Sequence, residues 1–301
     1  MTRSIQKLTD EVSDALRSRG FKIGFLEYPV NERKSIDLIA RRGNEKLLIK
    51  VSYEVDSVGH REAYELSAIS DVFGGLGILI GKKAKKKELE DFVVYERHGL
   101  PALTPETLKE LIENEKVYVY AGRGGYYVRI DSRKLREKRE ERNMSLGDIA
   151  YLLGVSRKAV YEYERSSMNL SLTTALKLVE IFGEDILSPL GIDELRKRER
   201  SAISKAKIIL RNAKLKRIVY ELNRMGIKTV ATEKTPVDLA VKSKDEIAIA
   251  SKENVSYPEH LGLKEESLEI FSKVLNVRSM MIDDLKKVVE FFRRDRLRRE
   301  M

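Results

Sequence analysis

MSLGDIAYLLGVSRKAVYEYER, residues 144–165, is the stretch on which the reading of this chain turns. Ser145 is a strong N-cap, and Asp148 three residues later completes a capping box by reaching back to it. Ile149, Ala150, Leu152 and Leu153 give the short helix that follows an apolar face. Gly154 supplies a turn residue free to take a positive φ. Ser156 then caps a second helix, Arg157 to Arg165, which buries Val160 and Tyr163. The small Ala150 lets the two helix axes cross closely. Two short helices around a glycine turn predict a helix-turn-helix whose second helix enters the major groove of DNA.

The flanks extend the pattern. Ser132 to Glu141 reads as a charged first helix carrying Leu135. SSMNLSLTTALKLVEIFG, after Arg165, reads as a loop, a cap at Ser171 and an apolar helix through Leu178 and Phe182. Over Arg133 to Leu190 the residues resemble the lambda-repressor-like (XRE) helix-turn-helix family, through LGVSRxxVxxYER and the N-x-S-L-x-x-A-L-K-L that follows. The resemblance implies base contacts from the positions of Arg157, Lys158 and Glu162. With Val160 and Tyr163 in the core, the candidate DNA-binding set is Ser145, Ser156, Arg157, Lys158, Tyr161, Glu162 and Asn169. The chain departs from the family at Leu146, where a phosphate-gripping glutamine is usual.

A chain of 301 residues, 42% of them hydrophobic, can bury more than one core, so two or three domains are expected. It has no cysteine, which excludes disulfides, thiolate metal sites and cysteine nucleophiles. No 18-residue apolar run occurs, so no membrane span and a cytoplasmic location are expected. The net charge of +10 is unevenly spread. Residues 1–120 hold 20 Lys+Arg against 20 Asp+Glu, residues 121–200 hold 16 against 13, and residues 201–301 hold 22 against 15. That excess suggests a polyanion partner, although a heat-adapted surface rich in both signs gives the same composition.

From the N-terminus, a helix is predicted from Ser4 to Arg19, apolar at Ile5, Leu8, Val12 and Leu16 and ended by Gly20. A strand follows over Phe21 to Tyr28. Ser35 to Arg41 and Lys46 to Ser52 form a hairpin around Gly43 and Asn44. A helix over Arg61 to Phe73, a buried strand GILI at Gly77 to Ile80, a strand at Val93 to Glu96 and a helix opened by Thr104-Pro105 complete the unit. This order resembles the restriction-endonuclease-like fold of the PD-(D/E)XK nucleases. The resemblance implies that Asp37 and Lys50 stand where those enzymes hold Mg²⁺ and polarise water. Leu48 stands where the second carboxylate belongs, and nothing in the sequence places Glu11, Glu54 or Asp56 as a substitute. A scaffold without chemistry is expected, with no metal and no cofactor. The competing reading is a generic α/β domain in which Asp37 and Lys50 are ordinary strand residues.

VYVYAGRGGYYVRI, residues 117–130, reads as an aromatic hairpin docking the first domain to the helix-turn-helix. Its glycines lack the helix and Lys-Ser/Thr of a phosphate-binding loop. Tyr118, Tyr120, Tyr126 and Tyr127 suit either packing or base stacking. Beyond Leu190 a basic helix is predicted, apolar at Ile203, Ile208, Leu215, Ile218 and Leu222, with Lys205, Lys207, Lys214, Lys216 and Arg217 as phosphate-contacting candidates. An internal repeat follows. LRSRGFK (16–22) matches LNRMGIK (222–228), SIDLIA (35–40) matches PVDLAV (236–241), and SDVFGGLGILI (70–80) matches SKVLNVRSMMI (272–282). Asp238 thus pairs with Asp37. A one-residue hairpin insertion would pair Lys252 with Lys50 and put Ala250 at the acid position.

The resulting plan is multidomain: an all-α lambda-repressor-like helix-turn-helix domain between two α/β restriction-endonuclease-like domains. Residues 1–115 form the first α/β domain and 116–130 the β-hairpin connector. Residues 131–192 form the DNA-binding domain, and 193–301 the basic helix plus a degenerate second α/β copy. As a whole the chain resembles a family of archaeal helix-turn-helix transcriptional regulators. The expected function is a regulator binding double-stranded DNA as a homodimer through helix 157–165. The alternative is a Mg²⁺-dependent endonuclease targeted by that helix and using Asp37 and Lys50, which Leu48 disfavours.

Overall fold

The computed structural model describes residues 3–165, 169–203, 212–255 and 257–300. The chain opens with α1 (Arg3–Ser18), which buries Leu8, Val12 and Leu16 along one face. Then come β1 (Lys22–Phe25), β2 (Leu38–Arg42), β3 (Glu45–Val51), α2 (His60–Val72) and β4 (Leu76–Ile80). A small hairpin, β5 (Lys83–Ala84) and β6 (Lys87–Glu88), precedes β7 (Val93–Arg97), β8 (Leu100–Leu103) and α3 (Pro105–Glu113). β1, β2 and β3 are antiparallel neighbours, and β4 lies parallel to β3.

The connector is a hairpin of β9 (Val119–Gly122) and β10 (Gly125–Arg129). After it come α4 (Ser132–Glu141), α5 (Leu146–Leu153), α6 (Arg157–Arg165), β11 (Asn169–Ser171), α7 (Leu172–Phe182) and α8 (Ile192–Ile203). β9 pairs with β7 and β11 pairs with β10, so one sheet runs from the first α/β unit into the helix-turn-helix. Its nine strands are ordered β1-β2-β3-β4-β8-β7-β9-β10-β11. A pattern-based reading gave only a loop before Ser171. The three residues of β11 are too few to show an alternation, and their ladder is set by β10.

The C-terminal unit contains α9 (Ala213–Arg224), β12 (Lys228–Ala231), β13 (Leu239–Lys242), β14 (Glu246–Ser251), α10 (Leu261–Leu275), β15 (Arg278–Ile282) and α11 (Lys286–Glu300). The single basic helix expected beyond Leu190 is therefore two helices. Asn212 has an extended backbone and accepts the Lys214 and Leu215 amides through its side chain, which starts α9 afresh. Lys205, Lys207 and Ile208 lie outside the described residues. α8 does not belong with the C-terminal unit either. Leu190, Ile192 and Leu195 join the core that α1 and α3 cover, so the boundary expected at residue 193 falls ahead of a helix that packs on the first unit.

The repeat seen in the sequence is present in the backbone. β12, β13 and β14 are antiparallel and β15 is parallel to β14, as in β1 to β4. The amides of Phe21 and Ile227 bond to the carbonyls of Leu16 and Leu222, and Gly20 and Gly226 share a φ of 76°. The Asp37 and Asp238 amides bond to the carbonyls of Ile49 and Ile249.

The two units face each other. α2 packs on β12 and β13, while α10 packs on β1 and β2. Leu48, Ile39, Leu66 and Phe73 of the first unit share one core with Ala240, Ala248, Leu268 and Phe271 of the second. The Phe73 and Phe271 rings meet edge to face, 5.4 Å apart. Approach is close enough that a Cβ at Gly24 would lie 2.4 Å from the Ile270 side chain. The polar contacts are reciprocal too. The Tyr28 amide donates to Ser267 on α10 at 3.2 Å, and the corresponding Lys234 amide donates to Glu65 on α2 at 2.9 Å. Glu65 also accepts the Glu233 amide, so this buried carboxylate of the first unit takes two amides of the second, while Ser35 and Arg61 of its own unit donate to it as well.

α8 is tied to the first sheet by a buried carboxylate. Glu199 is 1% exposed and accepts the Gly77 amide at 3.2 Å, where a Cβ on residue 77 would approach to 2.7 Å. Burial pushes this carboxyl up to about 8. The folded chain therefore keeps a proton that the unfolded chain releases between about pH 4.5 and 8. Stability contributed below pH 4.5 is lost as pH rises toward the folded value. Urea midpoints measured from pH 5 to 8 should fall more steeply for the native chain than for Glu199→Gln. Parallel curves would contradict the burial argument.

Candidate nucleic-acid interface

The helix-turn-helix has its own core of Leu135, Ile149, Ala150, Leu153, Val160, Leu170, Ala175, Leu178 and Phe182. Ser145 accepts the Asp148 amide at 3.2 Å, and Asp148 accepts the Ser145 amide at 2.7 Å, closing the capping box. Those bonds hold the Asp148 carboxyl below its usual range. Gly154 takes the left-handed conformation at φ 70°, and Ser156 accepts the Ala159 amide at 3.1 Å to start α6. Leu152 is 47% exposed, so it does not belong to the apolar face predicted for α5. Leu146 is half-buried against the core, which explains why an apolar side chain fits where the family commonly has glutamine.

α6 is held from behind by one ion pair. Arg139 of α4 grips Glu164 through Nε at 2.6 Å and Nη2 at 3.0 Å, and its Nη1 donates to the Met144 carbonyl at 2.9 Å. Both side chains are largely out of solvent, where a two-pronged guanidinium–carboxylate contact fixes orientation as well as distance. The outward face of α6 then carries Arg157, Lys158 and Tyr161, all exposed, with Glu162 half-buried. Among the described residues Arg157 and Lys158 make no ion pair. Tyr161 is partnered by Arg165, whose Nη1 donates to the phenol oxygen at 3.3 Å. Asn169 lies exposed at the start of β11, opposite Arg129. The hydroxyls of Ser145 and Ser156 are both committed to capping.

The connector tyrosines are occupied by packing. Tyr118 lies against the helix-turn-helix core, Tyr120 stacks on Tyr127 and lies under Arg198, and Tyr126 donates to Glu90.

The nuclease-like constellation is differently disposed. By the two-residue alternation of strands, Asp37, Leu48 and Lys50 share the sheet face that α2 and α10 cover. Asp37 is 6% exposed. Its Oδ2 accepts the Val51 amide at 2.7 Å, and the Lys50 ammonium lies 3.1 Å from Oδ2 and 3.3 Å from Oδ1, so both oxygens are engaged. Leu48 is fully buried in the core shared with the second unit. Glu11 pairs with Lys82, Glu54 accepts the Lys86 amide, and Asp56 accepts the Lys85 amide and lies beside Arg97. Among the described residues no three His, Cys, Asp or Glu side chains converge on one point.

In the second unit the expected register is corrected. Lys242 pairs with Glu246 across a three-residue turn, and the path from Asp238 to Ile249 is one residue shorter than that from Asp37 to Ile49. Ala250, not Lys252, corresponds to Lys50, and Ala248 takes the place of Leu48. The cation comes instead from α10. Lys264 is fully buried and reaches Asp238 at 2.7 Å, donates to the Ser251 and Asn254 carbonyls, and lies under the Tyr28 ring. Sequence spacing carried no trace of this pair, because Lys264 lies on a different element and meets Asp238 only after packing.

Comparison with known proteins follows the same division. A PD-(D/E)XK superfamily domain matches residues 5–117, and a helix-turn-helix matches residues 135–187. Several archaeal relatives are each named a "putative HTH-type transcriptional regulatory protein". That of Thermococcus kodakarensis is 36% identical over 246 residues, covering 81% of this chain and 74% of its own length. The Saccharolobus solfataricus relative is 35% identical, covering 80% and 75%, and the Methanococcus maripaludis relative is 33% identical, covering 84% and 81%. No solved structure matches the chain. With a PD-(D/E)XK domain ahead of its helix-turn-helix and relatives matched over most of their length, the chain belongs to this archaeal family of HTH-type transcriptional regulatory proteins.

Proposed function

We propose that this chain is a transcriptional regulator that reads double-stranded DNA in the major groove with α6 and does not cut it. The observation that carries the reading is the start of α6. There Arg157 and Lys158 stand exposed, with no ion pair among the described residues, on a helix whose other face is clamped by Arg139 and Glu164. A guanidinium so placed suits bidentate pairing with guanine O6 and N7. The names of the archaeal relatives support the same role.

We further propose that residues 212–300 are a second, degenerate copy of the nuclease-like fold and that both copies serve as scaffold. Supporting this, Asp37 is consumed by Val51 and Lys50, Asp238 by Lys264, and the acid position of each copy holds Leu48 or Ala248 in the shared core. The regulator acts as a two-fold pair, since one helix-turn-helix covers too little DNA for tight specific binding. Leu215, on the basic helix, is fully buried in the second unit's own core and so is not open to a partner. Tyr151, Leu152 and Leu176, exposed on α5 and α7, are better placed for the pairing.

Four outcomes test these statements. In a binding-site selection, Arg157→Ala should lose about 1–3 kcal/mol at a single base position and relax preference there. Unaltered specificity would remove Arg157 from the interface. Incubation with plasmid and Mg²⁺ or Mn²⁺ should give no nicking that Asp37→Ala abolishes. Leu48→Glu should destabilise the fold by about 3–5 kcal/mol, as an unpaired buried charge does, rather than create activity. A folded, cleaving Leu48→Glu variant would contradict the scaffold reading. Sedimentation should show a dimer that Tyr151→Ser with Leu176→Ser weakens, and a stable monomer protecting one half-site would count against pairing.

A further inference from the structure

GKKAKKKE, residues 81–88, packs five lysines into the β5–β6 hairpin. Lys83 pairs with Glu88 and Ala84 with Lys87, so Lys85 and Lys86 are the two central turn residues. Both have positive φ, 48° and 65°, in a turn that favours Asn-Gly because L side chains are strained there. The strain is held by two carboxylates: Asp56 accepts the Lys85 amide, and Glu54 accepts the Lys86 amide at 3.3 Å. Strained residues kept by surrounding bonds concentrate where their side chains have a task. What Lys85, Lys86 and Lys87 present is charge. All three are exposed, and among the described residues none makes an ion pair.

A second cation faces them. Arg123 sits at the β9–β10 turn, exposed and likewise without an ion pair among the described residues. Lys85 and Arg123 line the same open groove, of about 680 Å³, whose wall also holds Arg97 and Arg198. Arg97 Nε is buried with no hydrogen-bond partner among the described residues, while its other nitrogens lie beside Asp56. β9 and β10 share a sheet with β11, which follows α6, so this groove is fixed relative to the helix-turn-helix. Arg97 is paired with Asp56 and Arg198 with Glu194, so the exposed Lys85 and Arg123 are the cations here that suit a polymer backbone passing across the groove.

We propose that the Lys85–Lys87 turn and Arg123 form a second DNA contact, gripping backbone phosphates beside the site read by α6. The proposal rests on the DNA-binding reading above and adds a surface to it. The contact carries no sequence information; it fixes orientation and steepens salt dependence. The test compares the full chain with Lys85→Asn/Lys86→Gly, which suits the turn, and with Arg123→Ser. Binding of a labelled duplex is followed by anisotropy over a range of KCl concentrations, with unfolding midpoints checked in parallel. Each lost phosphate contact lowers the log–log salt slope by about 0.9, so the double variant should lose between about 0.9 and about 1.8. Its base preference and unfolding midpoint should not fall. An unchanged slope in a folded variant overturns the proposal while leaving the α6 reading intact. Loss of all duplex binding by the native chain overturns both. If inorganic phosphate raises the native melting temperature but not that of the variants, and the slope is unchanged, the groove takes a small anion and the DNA assignment is wrong.

Discussion

Two sheets close over each other through α2 and α10, and that shared core constrains everything else in the molecule. Each helix crosses from its own unit to lie on the first two strands of the other. The faces so covered carry Asp37, Leu48 and Lys50 in one unit and Asp238, Ala248 and Ala250 in the other. A metal-dependent nuclease needs that face open to a phosphodiester and polar enough to hold a cation. Here it is closed and largely apolar. Burial of a carboxylate at position 48 would cost far more than one buried leucine returns, unless a partner came with it. An unpartnered carboxylate at position 48 and this intrachain interface thus exclude each other.

The residual polar groups fit the same account. Asp37 and Asp238 each keep an amide bond to the strand that follows, Val51 in one copy and Ser251 in the other. Each carboxylate is matched with a single lysine, reached by different routes. Burial pushes Asp238 up and Lys264 down, toward neutrality in each case, and their mutual attraction opposes both shifts. Removing one partner of such a pair would leave the other stranded, which by itself favours keeping both.

Local features were legible in the sequence because local bonds create them. The capping box of Ser145 and Asp148, the cap at Ser156, the left-handed Gly154 and the repeat anchored on Gly20 and Gly226 all follow from residues a few positions apart. What escaped the sequence depends on packing between distant elements. Lys264 replaces the missing strand lysine from another helix, β8 contains Pro101, and β11 is three residues long. The length of the second hairpin was misjudged because a three-residue turn with a shorter ladder leaves no compositional mark. Leu215 was legible as an apolar helix position, and the second sheet beneath it is what makes it core.

In this account DNA meets α6 and never the face bearing Asp37. Amide hydrogen exchange of the full chain, with and without a duplex obtained by selection, tests that directly. Slowed exchange over residues 145–165 with no change over residues 37–51 is the predicted result. Slowed exchange centred on residues 37–51, with α6 unaffected, would contradict it.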